Sequence, residues 1–156
     1  MRKWLLIVLA VGLFVVATTL ILAQRPGPLG LVDGALRRCE PGDPCVNSQL
    51  GVGEQRIDPV YVGMDVEGAW GRLQDLLAAK SGVSVKLRES HYLQVEWVES
   101  ILPYPTDLEF LRFDSGGVIH VRAAQRVSLF GGNAHVDRVR ELTRQLAEAM
   151  DGAHGP

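Results

Sequence analysis

Residues 107–126, which read DLEFLRFDSGGVIHVRAAQR, decide the fold of this chain. Apolar and polar residues alternate on both sides of Gly116 and Gly117, which is the pattern of strands with one buried face. The Asp-Ser-Gly-Gly sequence between the two runs is typical of a hairpin turn. The stretch therefore predicts two adjacent antiparallel strands, Asp107 to Phe113 and Val118 to Arg126.

Two further strand-like runs precede this hairpin. Residues 83–89 and 92–99 alternate in the same way, and only short turns separate the four runs. Consecutive strands joined by short turns form an antiparallel meander. Alternation this regular indicates that one face of the sheet is buried and the other is polar.

Two amphipathic helices flank the four strands. Asp65 is a suitable cap for a helix that runs to about Lys80, and Asn133 for a second helix from Ala134 to Met150. Their apolar stripes need a large partner, and the apolar sheet face provides it. The sequence therefore predicts an α+β fold, a two-layer sandwich in which two helices cover one face of a four-stranded antiparallel meander, in the order α-β-β-β-β-α.

The N-terminal segment is a candidate membrane span. Trp4 to Ala23 contains no charged residue, and about 20 apolar residues cross a hydrocarbon core. Arg2 and Lys3 favour the cytoplasmic side for the N-terminus. We therefore expect a single-pass signal anchor at residues 1–24 in the cell (inner) membrane, with residues 4–23 in the lipid bilayer and the following domain periplasmic or otherwise extracytoplasmic. A cleaved signal peptide is the alternative, although Ile21 fits the −3 position of a cleavage site poorly.

The rest of the chain divides into a linker, a domain and a tail. Residues 25–38 are rich in Pro and Gly, which break regular elements, so we interpret them as a linker. The domain is expected at residues 39–150 and a disordered tail at 151–156. Cys39 and Cys45 lie close together in a domain expected to meet an oxidising environment, which predicts a disulfide, with two free thiols as the alternative. Two cysteines without a nearby His are too few for a zinc site, so no metal is expected.

The net charge of the chain after the apolar segment argues against a function in nucleic-acid binding. All 18 acidic residues and 14 of the 16 basic ones follow the apolar segment, which leaves a net charge of −4 there. A general nucleic-acid binder needs a basic surface, so no nucleic-acid partner is expected.

A family resemblance extends over the part of the chain from Cys39 onward. The residues that carry it are Cys39, Cys45-Val46-Asn47-Ser48-Gln49, Ile57-Asp58-Pro59, Asp107-Leu108-Glu109-Phe110, the run from Val121 to Val127, and Arg138-Val139. With these residues the chain resembles the uncharacterised domain-of-unknown-function family 1499. The resemblance implies a bacterial or plastid protein, often membrane-anchored, and it implies no particular activity.

The chain also departs from that family's pattern. The family usually has hydroxyl residues where this chain has Ala123, Ala124 and Gln125, and an Asp and an Asn where it has Gly131 and His135. If those polar residues carry the family's function, the resemblance does not extend that function to this chain.

Two groups of residues are candidate binding sites. On the polar sheet face, Glu109, His120, Arg122 and Arg126 should project to the same side, where the arginines can bind a carboxylate or phosphate. The alternative is a solvated face with weak ion pairs. Arg126 with the helix-preceding run Gly131-Gly132-Asn133 is a second candidate anion site, and a plain turn is its alternative.

Two hypotheses of function follow. Ser48, His91, His120, His135 and Asp107 are triad residue types, but no motif brings them together, and no cofactor is expected. The first hypothesis is a membrane-tethered, non-enzymatic module that binds a protein partner or an anionic ligand. The second is a hydrolase-like or other enzyme that acts on an anionic substrate through Glu109, His120, Arg122 and Arg126. A flat, water-exposed face would exclude the enzyme. A concave pocket that gathers Glu109, Arg122 and Arg126, with a shifted carboxylate, would weaken the first hypothesis.

Overall fold

The computed structural model describes residues 2–23, 25–98, 105–126 and 133–151. The elements in chain order are α1 (Arg2–Ala23), β1 (Leu31–Val32), β2 (Ala35–Leu36), β3 (Cys45–Asn47), β4 (Val60–Tyr61), α2 (Val66–Ala79), β5 (Val83–Arg88), β6 (Tyr92–Trp97), β7 (Thr106–Phe113), a 3₁₀ turn (Asp114–Gly116), β8 (Val118–Gln125) and α3 (Ala134–Asp151). The chain therefore combines helices with antiparallel sheet, as the α+β prediction requires.

The main sheet is wider than predicted. Strands β5 to β8 form the expected meander, but β3 and β4 both pair with β8 and extend the sheet to six strands in the described part of the chain. The prediction of a four-stranded sheet is therefore wrong. At three and two residues, β3 and β4 are too short to show an alternating pattern, and they become strands because β8 offers them a free edge.

One face of the sheet and the two helices α2 and α3 enclose the hydrophobic core. Leu73 and Leu77 of α2 and Leu142 and Leu146 of α3 are almost fully buried against the odd-numbered residues of β8. The expected cap is present, because Asp65 Oδ1 accepts a hydrogen bond from the Gly68 N–H at 2.9 Å. At the start of α3 the backbone carbonyl of Asn133 accepts from Val136 and Asp137.

The opposite face of the sheet is covered by the N-terminal segment. Within residues 25–38, β1 and β2 form a hairpin around Asp33 and Gly34, whose φ angles are 52° and 76°. Leu36 of β2 is buried with Tyr92 and Leu111 on this second face. Residues 31–36 of the segment interpreted as a linker thus form a hairpin, and the alternative of a solvated sheet face does not hold where this hairpin packs. Asp-Gly is a preferred sequence for a hairpin turn with two positive φ angles, and this signal lay inside the Pro- and Gly-rich run.

The N-terminal helix α1 stands apart in composition. The most apolar 18-residue window within Arg2–Leu22 has a mean hydropathy of 3.0, and none of this window is buried by the rest of the described chain. The helix is long and apolar enough to cross a membrane, a property that anchors and signal sequences share.

Candidate functional site

A buried ion pair lies at the centre of the second sheet face. Glu109 of β7 and Arg122 of β8 are register partners, and Arg122 Nη1 donates to Glu109 Oε2 at 2.6 Å. Glu109 Oε1 accepts two further bonds, from the Gly30 N–H at 2.7 Å and from the Tyr92 hydroxyl at 2.5 Å. Burial, with the adjacent Glu109 carboxylate, raises the pKa of Tyr92, which keeps the phenol protonated as a donor. Glu109 therefore joins the sheet to the N-terminal segment.

A second charged network lies beside the first. Arg126 donates from Nε and Nη2 to both carboxylate oxygens of Asp107, at 2.8 and 2.6 Å, and its Nη2 lies 2.5 Å from Glu96 Oε2. The hydrogen bonds to Asp107 raise the pKa of Arg126 despite its burial. Burial works against ionisation of Glu96, but hydrogen bonds from Lys86 and Arg126 outweigh it and hold the pKa of Glu96 below its usual value. Arg126 is thus a fixed cation.

His120 belongs to a third, separate contact. Its Nδ1 lies 3.2 Å from Ser48 Oγ, and that oxygen accepts a hydrogen bond from the Val121 N–H at 2.8 Å. Burial lowers the pKa of His120, so a neutral ring that accepts the Ser48 proton satisfies both groups. The pairing contributes to the attachment of residue 48 to β8, where the Ser48 N–H also donates to the Val121 carbonyl.

A cavity of about 260 Å³ opens between the second sheet face and the N-terminal segment. The ionisable side chains in its lining are five arginines and three carboxylates: Arg25, Arg37, Arg38, Arg122, Arg126, Glu40, Asp43 and Asp107. The lining therefore carries an excess of positive charge.

Three of the lining arginines carry a charge without a paired carboxylate in the described chain. Arg25, Arg37 and Arg38 form no ion pair with a carboxylate of the described residues. Within the same part of the chain, the Nε atoms of Arg37 and Arg122 make no hydrogen bond, and both atoms are closed off from solvent. The charge of the three unpaired arginines is therefore what the lining offers to an anion.

The predicted site residues separate into distinct places. Arg122 and Arg126 line the cavity, whereas Glu109 and His120 do not. Asn133 is exposed and lines a different cavity of about 610 Å³, together with His135. Gly131 and Gly132 lie outside the described residues, so the predicted anion site before α3 is not assembled from what the structure describes.

Sequence reasoning missed three arginines. Arg25, Arg37 and Arg38 fell in the segment interpreted as a linker. Arg37 and Arg38 directly precede Cys39, and Cys39 and Cys45, which were predicted to form a disulfide, lie at disulfide distance with 5.6 Å between the Cα atoms. Cys45 also lines the cavity and lies in β3, which pairs with β8. The position of two arginines directly before its partner Cys39 was therefore a sequence signal that they lie near the same cavity.

The described residues contain no group of three or more His, Cys, Asp or Glu side chains arranged to hold a metal ion. The residues that line the arginine cavity offer a ligand positive charge and hydrogen-bond donors. Arginine forks suit the paired oxygens of a carboxylate or phosphate.

Comparison with known proteins gives one match. A family model described as "Protein of unknown function (DUF1499)" matches residues 35–146. The match begins after α1 and includes Arg37, Arg38, the cysteine pair and the whole main sheet. No curated protein and no solved structure matches the chain.

Proposed function

Because the chain belongs to the DUF1499 family of proteins of unknown function, we infer its role from its own residues and propose that it is a membrane-anchored module that binds an anionic ligand. The observation that carries the proposal is a cavity lined by five arginines, of which Arg25, Arg37 and Arg38 form no ion pair with a described carboxylate. The ligand class is a small phosphate or carboxylate.

The charges around the cavity support an anion. Arg122 is paired with Glu109, and Arg126 is paired with Asp107 and Glu96, so these two arginines are held in place. Arg25, Arg37 and Arg38 have no such partner among the described carboxylates, and they supply positive charge that a ligand can neutralise. Glu40 and Asp43 in the lining offset part of this charge, and five arginines against three carboxylates still favour a negatively charged occupant.

The size of the cavity supports a small ligand. A volume of about 260 Å³ is near the lower end of ligand pockets, which suits a small group and not a large cofactor.

The membrane part of the proposal depends on α1. We propose that α1 stays in the cell membrane as a single-pass anchor, with Arg2 and Lys3 on the cytoplasmic side and the domain outside the cytoplasm. The disulfide between Cys39 and Cys45 supports an oxidising compartment. Protease treatment of intact cells tests the topology, since only an extracytoplasmic domain is digested without breaking the membrane.

The alternative proposals have less support. An enzyme that uses Glu109, His120, Arg122 and Arg126 would need these side chains at one cavity, yet Glu109 and His120 lie outside it. Both oxygens of Glu109 are also engaged by Arg122, Tyr92 and Gly30. Binding of a protein partner is also proposed, but the described residues give it no specific contact surface.

Calorimetric titration of the full chain in non-ionic detergent with inorganic phosphate and with succinate tests anion binding. We expect one of the two to bind, with affinity that falls as salt is raised. Arg37→Gln with Arg38→Gln should weaken binding by about tenfold or more, because each charge-assisted hydrogen bond contributes about 1.5–3 kcal/mol. Arg88→Gln is the matched control, since Arg88 is exposed on β5 and does not line the cavity. Absence of binding, or equal binding by both variants, would overturn the proposal.

A further inference from the structure

The wall of the arginine cavity begins almost immediately after the candidate membrane span. Helix α1 ends at Ala23, and Arg25, Gly27 and Pro28 line the cavity. A chain extends by at most about 3.6 Å per residue, so Arg25 lies within about 7 Å of the end of α1 and Pro28 within about 18 Å.

That distance places the cavity beside lipid headgroups. The headgroup region adds about 5–8 Å to each side of a hydrocarbon core of about 30 Å. With α1 spanning the core, Arg25 cannot leave this layer, and the near wall of the cavity starts within it. A ligand that enters past Arg25 therefore comes from the membrane surface.

The hairpin between the two N-terminal parts of the lining exposes two aliphatic side chains beside its Asp33-Gly34 turn. Leu31 and Val32 are 38% and 43% exposed, and they lie in sequence between Pro28 and Arg37, both of which line the cavity. Exposed aliphatic side chains near the membrane surface suit contact with the boundary between headgroups and acyl chains.

We propose that the anion bound in this cavity is the phosphate of an anionic phospholipid in the leaflet that the domain faces. This inference rests on the proposed anion site and adds the source of the ligand. The phosphate oxygens accept hydrogen bonds from Arg37, Arg38 and Arg122, while the glycerol and acyl chains stay in the leaflet near Arg25 and the hairpin. The same phosphate chemistry is offered by free phosphate, so the test separates the two sources.

The full chain is reconstituted in vesicles of phosphatidylcholine, with or without an equal part of phosphatidylglycerol, and its thermal unfolding is followed by tryptophan fluorescence. A ligand that binds only the folded state raises the midpoint. We expect phosphatidylglycerol to raise it by about 4 °C for the native chain and for Arg88→Gln. The double variant Arg37→Gln with Arg38→Gln should show little or no rise.

A lengthened tether separates a lipid from a free ligand. About twelve Gly and Ser residues inserted after Ala23 add a mean span of about 20 Å. This variant should lose most of the rise caused by phosphatidylglycerol and should keep any rise caused by inorganic phosphate added to phosphatidylcholine vesicles.

Each outcome decides between the two proposals. If inorganic phosphate raises the thermal unfolding midpoint and phosphatidylglycerol does not, the lipid inference is overturned and the proposed anion site stands. A rise with phosphatidylglycerol that persists in the double arginine variant also overturns the inference, because the lipid then acts elsewhere. No rise with either overturns both.

Discussion

Glu109 and Arg122 face each other across β7 and β8 as a buried ion pair, 2.6 Å apart, and the backbone of Gly30 donates to the same carboxylate. The pair therefore has two structural roles. It holds Arg122 at the wall of the arginine cavity, and it fastens the N-terminal segment to the sheet. A change at Glu109 should affect both the stability of the domain and the position of the chain that leaves α1.

Glu109→Gln should destabilise the protein strongly. The change leaves a buried guanidinium without its counter-ion, which typically costs about 3–5 kcal/mol. Urea unfolding of the full chain measures the loss, and Glu89→Gln, at an exposed position, is the control. Replacing both partners, as Glu109→Leu with Arg122→Met, should recover only part of the stability, because the Gly30 N–H and the Tyr92 hydroxyl still lose their acceptor. A loss below about 0.5 kcal/mol for Glu109→Gln would show that the pair does not hold the sheet face.

Gly82→Ala should be much more damaging than Gly71→Ala. Gly82 has a φ of +75°, and an added Cβ would lie 2.1 Å from the Val98 carbonyl oxygen. Gly71 lies on the exposed side of α2 with nothing within 4 Å of an added Cβ. We expect a loss of at least about 1–2 kcal/mol at Gly82 and a gain of about 0.5–1 kcal/mol at Gly71. Thermal midpoints measure both, and equal midpoints would contradict the turn geometry.

Stability should fall as the pH is lowered from about 6.5. Burial lowers the pKa of His120 and of His135, so the unfolded chain, with histidine pKa values of about 6.5, binds more protons than the folded chain. The free energy of unfolding therefore decreases toward acid, by at most about 1.4 kcal/mol per pH unit for each histidine. Urea unfolding at pH 7 and pH 5 measures the slope.

The histidines can be separated by substitution. His120→Asn with His135→Asn should flatten the slope between pH 7 and pH 5. His91→Asn is the control for the loss of a histidine at an exposed position. If the double variant keeps the full slope, other groups cause the pH dependence.

Removal of the disulfide should cost about 2 kcal/mol. Cys39 and Cys45 close a short loop, and the loop-closure entropy removed from the unfolded chain corresponds to roughly that amount. Cys39→Ser with Cys45→Ser, compared with the native chain by urea unfolding, measures it. Alkylation of denatured protein from intact cells before any reduction should label neither cysteine. Complete labelling would place the domain in a reducing compartment and would also count against the proposed topology.

Residues with regular patterns were predictable, and residues whose role depends on distant contacts were not. The alternation around Glu109 and His120 predicted β7, β8 and the sides of the sheet to which these residues point. The helix cap at Asp65 was also predictable from the neighbouring residues in the sequence. Nothing local showed that residues 45–47 and 60–61 would pair with β8, because such short strands are defined by their partner.

The candidate site shows the same division. Arg122 and Arg126 were predictable as neighbours because they are two residues apart on one strand. Arg25, Arg37 and Arg38 reach the cavity only because the N-terminal segment folds back over the sheet, held by Leu36 and by the Gly30 bond to Glu109. That long-range contact leaves little signature in a Pro- and Gly-rich run. Its local signs were the Asp33-Gly34 turn and the two arginines that precede Cys39.

The hydrogen bond from the Gly30 N–H to Glu109 attaches the N-terminal segment to the domain a short distance after α1. Only residues 24–29 lie between the end of α1 and Gly30, so the distance from Ala23 to Gly30 is at most about 25 Å. A domain of this size is about 34 Å across, estimated from its expected radius of gyration of about 13 Å. With α1 in the membrane as proposed, the domain cannot turn the sheet face that binds the N-terminal segment directly away from the bilayer. Macromolecules that arrive from bulk solution will therefore meet the helical layer of α2 and α3 before they meet the sheet.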